Sequence, residues 1–214
     1  MLVLASASPR RRDLLTQAGY TFEIVPADVP EDLHPGEQPI AYVLRLAREK
    51  ANAVAASSAF HKLAAGSPAP PLILAADTTV VAPSGEILAK PEDDADAARM
   101  LRLLSGSTHQ VITGVALLVP TPSGAAMEVA AEVTHVTVMP LSGDDIAAYI
   151  ATGECHGKAG AYAIQGHFAR WVPRIHGCYF NVVGLPLSLA CGMIDAARTR
   201  TAAEPAAGSM LFSR

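Results

Sequence analysis

A chain of 214 residues, half of them hydrophobic, can bury one substantial core or two closely packed lobes. Charged residues make up 17% and aromatics 5%, so the core must be aliphatic and alanine-rich, a globular composition rather than a disordered one. The net charge of −4 argues against a sequence-independent nucleic-acid binder, which needs an excess of phosphate-neutralising cations.

Leu2 to Ala5 is a short apolar run that reads as a buried strand. Ser8-Pro9 then starts a helix, with a hydroxyl N-cap and a ring that pre-sets φ, and Gly19 suits its end. Phe22 to Val25 reads as a second strand, followed by a loop from Pro26 to Pro39 that carries Asp28, Glu31, Asp32 and Glu37. Ile40 to Ser57 has the apolar spacing of a long helix, with Lys50 lying on the inward stripe. Leu72 to Ala76 is too short and too apolar for a helix and predicts a buried strand that ends at Asp77. Val80-Val-Ala82 and Ile87-Leu-Ala89 flank a turn and predict a hairpin closed by Lys90-Pro91. The acidic run Glu92 to Asp96 opens a helix with the charge sign that the macrodipole favours.

Val111 to Val119 and Val129 to Val138 predict a long hairpin, and Ser142 caps a short helix through Ile150. Lys158 to Gly166 is rich in small residues and reads as close-packed backbone, and Tyr179 to Val183 predicts a strand. Gly184-Leu-Pro186 leads into a last helix to about Arg198, with residues 199–214 expected to be a mobile tail. Strands and helices alternate in mixed order, which places the chain in the α/β (mixed α+β) class with a mixed sheet, over a single domain of residues 1–198. No apolar run reaches the ~18 residues of a membrane span. The start of the chain lacks the features of a signal peptide. Cys155, Cys178 and Cys191 show no CxxC spacing and read as reduced thiols of a cytoplasmic protein.

Chemistry concentrates in a few places. Arg10, Arg11 and Arg12 crowd the first turn of the first helix, where the dipole is already positive and acidic residues would be expected. Three cations beside unpaired backbone N–H groups, with the Ser6 and Ser8 hydroxyls, want an anion, most naturally a phosphate. Successive helix residues turn by about 100°, so at most two of the three can share one ligand. Asp77, at the end of a buried strand, can hold a divalent metal or act as a base towards water. Glu31 and Asp77 together with Lys50 and Lys90 suit a polyphosphate and its Mg²⁺. There is no GxxxxGK[ST] and no GxGxxG. His109, His135, His167 and His176 lack ligand spacing, and Trp171 and Tyr162 read as core.

Ser6-Ala-Ser-Pro-Arg-Arg11 with Leu14-Leu15 resembles the signature of the Maf family of nucleoside triphosphate pyrophosphatases. The resemblance continues through Leu46-Ala-Arg-Glu-Lys50-Ala, Ala76-Asp-Thr78, Lys90-Pro91, Leu104-Ser-Gly106, Thr113-Gly-Val115, Lys158-Ala-Gly-Ala-Tyr-Ala-Ile-Gln-Gly166 and Val183-Gly-Leu-Pro186. It implies an elongated, twisted mixed sheet in two lobes with a central cleft, related to the inosine-triphosphate pyrophosphatase fold. It implies hydrolysis of a nucleoside triphosphate to the monophosphate and pyrophosphate with Mg²⁺ or Mn²⁺, by a homodimer. Asp77 matches the family's catalytic proton acceptor, with Glu31 its partner at the metal. Ser8, Arg10, Arg11, Glu31, Lys50 and Lys90 match the substrate cleft, and Arg11, Thr78 and Gln165 match the positions tied to base specificity.

The form around Gln165 resembles the branch acting on dTTP and UTP; a glutamine amide offers a donor and an acceptor that can pair with N3–H and a carbonyl of uracil or thymine. A purine site can use glutamine too, which leaves a 7-methyl-GTP or modified-nucleotide pyrophosphatase as an alternative. A nucleotide-binding regulator of septum formation that does not turn its ligand over is the other.

Overall fold

Residues 1–203 are described by a computed structural model. Its first half runs β1 (Leu2–Leu4), α1 (Pro9–Gln17), β2 (Glu23–Ile24), α2 (Pro39–Ala55), α3 (Ser58–Ala65), β3 (Leu72–Val81), β4 (Ile87–Leu88) and α4 (Asp94–Leu104). The second half runs β5 (Thr108–Thr121), β6 (Gly124–Thr137), α5 (Gly143–Ile150), β7 (Arg174–His176), α6 (Tyr179–Val183) and α7 (Leu187–Ala203), with 3-10 turns at Ala159–Ala161 and His167–Trp171. The strands form one open mixed sheet in the order β2-β1-β3-β5-β6-β7, with β4 on β3.

Local chemistry sets the helix starts. The Ser8 hydroxyl accepts from the Arg11 backbone N–H and Pro9 opens α1. Asp93 caps α4 through the Asp96 N–H, and Ser142 with Asp145 closes a capping box on α5. The inward stripe of α2 is Tyr42, Val43, Leu46, Ala47, Lys50, Ala51 and Val54. It packs on Ile73, Ala75 and Ala116 of one sheet face, while α1, α4 and α7 cover Leu74, Ala76, Val80, Val115 and Leu117 on the other. The approach of α2 to β5 is very close: a Cβ at Gly114 would lie 2.5 Å from the Val43 carbonyl oxygen.

β3 organises the site. β5 pairs with it from Ile73 to Val81 along one edge. Along the other edge, β1 pairs in parallel only over Leu72 to Leu74, and β4 pairs only at Val80 and Val81. Between them the sheet is gapped beside residues 75–79, because the chain leaves β1 at Ala5 to enter α1. Neighbouring residues on a strand face opposite sides. Asp77 therefore faces α2 with Ile73 and Ala75, and Thr78 faces α1 with Leu74 and Ala76.

Four expectations change. Asp77 lies within β3, not after it, because pairing with Gly114 of β5 carries the strand on through Val81. Tyr179–Val183 is helix α6, not a strand: its β-branched composition is overridden by the Asn181 amide, which donates to the Val111 carbonyl and to Thr134 Oγ1, both at 2.9 Å. Residues 58–65 form α3, a further helix capped by Ser57. Finally, residues 199–203, expected in the tail, belong to α7; residues 204–214 of that expected tail lie outside the described residues. Among the described residues no helix is long and apolar enough to cross a membrane.

Candidate functional site

On the α2 side of the gap, Lys50 lies 8% exposed and Asp77 6% exposed. The Lys50 ammonium donates to Asp77 Oδ1 and to Glu31 Oε1, each at 2.6 Å, and Lys90 Nζ donates to Glu31 Oε2 at 2.7 Å. A continuous chain of alternating charge, Asp77–Lys50–Glu31–Lys90, thus crosses the cleft. Burial pushes the Glu31 carboxyl up, but the hydrogen bonds and charges of Lys50 and Lys90 outweigh it and hold the group down at about 2. Lysine on an inward helical stripe, expected either to snorkel or to hold an anion, holds two.

Glu31 sits in a segment without regular structure, so its position depends on what pins that segment. The Tyr42 hydroxyl donates to the Glu31 carbonyl at 2.7 Å. Arg45, one turn along α2, donates to the Asp32 carbonyl at 2.9 Å and grips the Glu37 carboxylate with Nε and an NH2 nitrogen, each at 2.7 Å. Tyr42 is pushed up to about 12 by burial and then by the charges of Asp77 and Glu31, so the phenol stays protonated as a donor.

On the α1 side, Arg11 is locked in place. It donates from Nε to the Gly184 carbonyl at 2.8 Å, from one terminal nitrogen to Thr78 Oγ1 at 3.0 Å, and from the other to Ser6 Oγ at 3.4 Å. Thr78 Oγ1 is 2.9 Å from Thr113 Oγ1, which donates to the Asn181 carbonyl. Burial lowers the Arg11 pKa, opposed by the charge of Asp77, yet the group stays cationic at any physiological pH. Arg10 is half-buried beside it, while Arg12 turns to solvent and pairs with Asp13. Two of the three arginines serve the cleft, as helical geometry requires.

Ser8, Arg10, Arg11, Glu31, Lys50, Asp77, Thr78, Lys90 and Gln165 all line one cavity of about 740 Å³. Its wall carries five cations, the fifth being Lys158, against three carboxylates, the third being Asp28. A locally positive cleft in a chain of net charge −4 has the charge sign that attracts a polyanion. A profile of the Maf family, described as Maf-like protein, matches residues 1–197 of this chain.

The chain belongs to the Maf family. It is 51% identical over 187 residues to a dTTP/UTP pyrophosphatase of Koribacter versatilis, covering 87% of this chain and 89% of that protein. A dTTP/UTP pyrophosphatase of Anaeromyxobacter sp. is 50% identical over 188 residues, covering 87% of this chain and 84% of its own length. One of Geobacter sulfurreducens is 50% identical over 186 residues, covering 87% and 91%.

In this Maf chain, residues not singled out as site candidates from sequence line the cleft or brace its lining. Tyr42 and Arg45 gave no signal, since their action depends on a loop fold that no local pattern encodes. Thr113, Gly184 and Lys158 fall inside the blocks of resemblance, and their clustering there was the available sign. Tyr162 is both core and cleft wall, stacked on Phe168 at 4.6 Å and lying 2.9 Å from His109 Nε2. Gln165 is exposed on the wall, and among the described residues its amide has no hydrogen-bond partner. The acidic run at α4 serves the helix start, as expected, through Asp93 and Asp96. Cys155, Cys178 and Cys191 are all free thiols.

Proposed function

We propose that this protein hydrolyses dTTP and UTP to the nucleoside monophosphate and pyrophosphate. The observation that carries the reading is the positive cleft with one engaged and one open carboxylate oxygen on Asp77: Lys50 takes Oδ1, and no described residue donates to Oδ2. Asp77 Oδ2 is free to accept a proton from water as its oxygen attacks the α-phosphorus; the α–β bridging P–O bond breaks and pyrophosphate leaves. Lys50 holds the Asp77 carboxylate in one orientation. Arg10, Arg11 and the N-terminal turn of α1 supply fixed positive charge against the charge that builds on the leaving group. Arg11, Thr78 and Gln165 on the opposite side of the gap form the base-reading edge, where the unengaged Gln165 amide can pair with N3–H and a carbonyl of a pyrimidine.

The cleft residues fit a hard divalent cation, because Glu31 and Asp77 present carboxylate oxygens on either side of one ammonium and substrate phosphates complete the oxygen set. Asp77 and Glu31 would hold Mg²⁺ or Mn²⁺, which supplies Lewis-acid polarisation of a phosphoryl oxygen. Cytoplasmic residence suits the three free thiols, and the proposed particle is a homodimer, which sedimentation velocity reads directly.

The test is pyrophosphate release from a panel of canonical and modified triphosphates. Rapid release from dTTP and UTP is expected, abolished by chelation, restored by Mg²⁺ or Mn²⁺, and reduced about 10²–10⁴-fold in Asp77→Asn. Release from 7-methyl-GTP in preference to dTTP would overturn the base assignment. Tight binding without turnover of any nucleotide would overturn the enzymatic reading.

A further inference from the structure

Outside the cleft, one cluster has the composition of a site for a softer metal. Asp94 is the first residue of α4, and Cys155 and His156 lie in the turn that follows α5. One ligand atom from each lies within 4.8 Å of the others, and among the described residues this is the one group of three or more such ligands that converges. Adjacent residues rarely aim at one point; here Gly153 and Gly157, at φ +73° and +67°, wind the chain tightly around them. His156 Nε2 is 3.3 Å from Asp94 Oδ1. Metal–nitrogen and metal–oxygen bonds of about 2.0–2.2 Å set tetrahedral ligand atoms about 3.3–3.6 Å apart, so this pair already spans one edge of a tetrahedron. The Cys155 sulfur closes the cluster from the interior, whereas Asp94 and His156 are exposed and can open an entry path.

We propose that Asp94, Cys155 and His156 form a second metal site, selective for Zn²⁺-class ions and distinct from the oxygen-ligand site in the cleft. A thiolate, an imidazole and a carboxylate are the donors that Zn²⁺ prefers and Mg²⁺ does not, and a water takes the fourth position. None of the three residues lines the cleft, but Lys158 does, two residues beyond His156. Lys90 likewise lies four residues before Asp94. The ion therefore ties together the two segments that form one wall of the cleft, and its binding releases the thiol proton to solvent.

The test uses the full chain, stripped of metal and titrated with Co²⁺, whose bond to a thiolate gives a charge-transfer band in the near ultraviolet. One equivalent of Co²⁺ is expected to produce that band, with Zn²⁺ displacing it. Cys155→Ser should abolish it, and Asp94→Asn and His156→Gln should each weaken Co²⁺ binding about tenfold or more. The last two change exposed side chains, so the test stands even if Cys155→Ser fails to fold. Absence of the band in the wild type would overturn the proposal. So would its survival in Cys155→Ser, with Cys178 or Cys191 as the ligand, or undiminished affinity in either of the other variants.

Discussion

Replacing Lys50 with methionine keeps the unbranched stem and helical preference of the side chain, one atom shorter, and removes its charge. The Asp77 carboxylate then loses the only hydrogen bond a described residue makes to it, while staying about as buried as before. Removing one partner of a buried ion pair costs about 3–5 kcal/mol, chiefly through the charge left behind. Two features place Lys50→Met near the low end of that range: the charge of Arg11 is close enough to act on Asp77, and the cleft admits water. For a domain of this size each kcal/mol moves Tm by about 2–4 °C, so a fall of about 6–12 °C is expected. Asp77→Asn is the milder change, because Lys50 keeps Glu31. The double variant removes both charges and should be much more stable than the two single costs predict, with a coupling of at least about 1.5 kcal/mol. Urea denaturation of the four proteins at pH 7, checked for a constant m-value, measures the cycle. Costs that simply add, within about 0.5 kcal/mol, would refute the view that the Lys50–Asp77 pair is a coupled unit.

Three further outcomes are expected. Gly114→Ala would drive a methyl to 2.5 Å from the Val43 carbonyl, which belongs to backbone and cannot swing aside; a loss of about 2–3 kcal/mol should follow, read as a lowered Tm, with weaker activity because α2 also carries Lys50. Arg45→Lys keeps the charge but cannot reproduce the two-pronged grip on Glu37 together with the bond to the Asp32 carbonyl. It should raise KM severalfold with little change in Tm, and equal kinetics would show that Glu31 needs no such support. Burial lowers the pKa of His109 from 6.5 to about 4, so the unfolded chain binds the extra proton between those values. Stability should be full above pH 6.5 and decline by about 3 kcal/mol as pH falls towards 4, a limb that denaturation of His109→Phe should lack.

Much was determined by the sequence alone, wherever the controlling physics is local. Ser8-Pro9 set the start of α1, Asp93 that of α4 and Ser142 that of α5, because a cap acts within three or four residues. The clash between three arginines and a positive helix end pointed, without any coordinates, to the place where Arg10 and Arg11 line the cleft. Ordered blocks of resemblance, from Ser6 to Pro186, carried the family and with it the nucleotide chemistry. Other features were decided only by tertiary structure. Asp77 had to be paired with Gly114 before it could be recognised as mid-strand, and no local pattern states that β1 and β4 will pair beside opposite ends of β3 and leave the sheet gapped between them. Tyr179–Val183 favours a strand by composition, and only the distant Val111 carbonyl and Thr134 hydroxyl, holding Asn181, make it a helix. Strand geometry turns Asp77 and Thr78 to opposite faces, but that Lys50 meets the one and Arg11 the other follows from packing. Contacts that span 67 residues along the chain, as between Arg11 and Thr78, cost loop closure and are repaid only once the whole sheet is assembled.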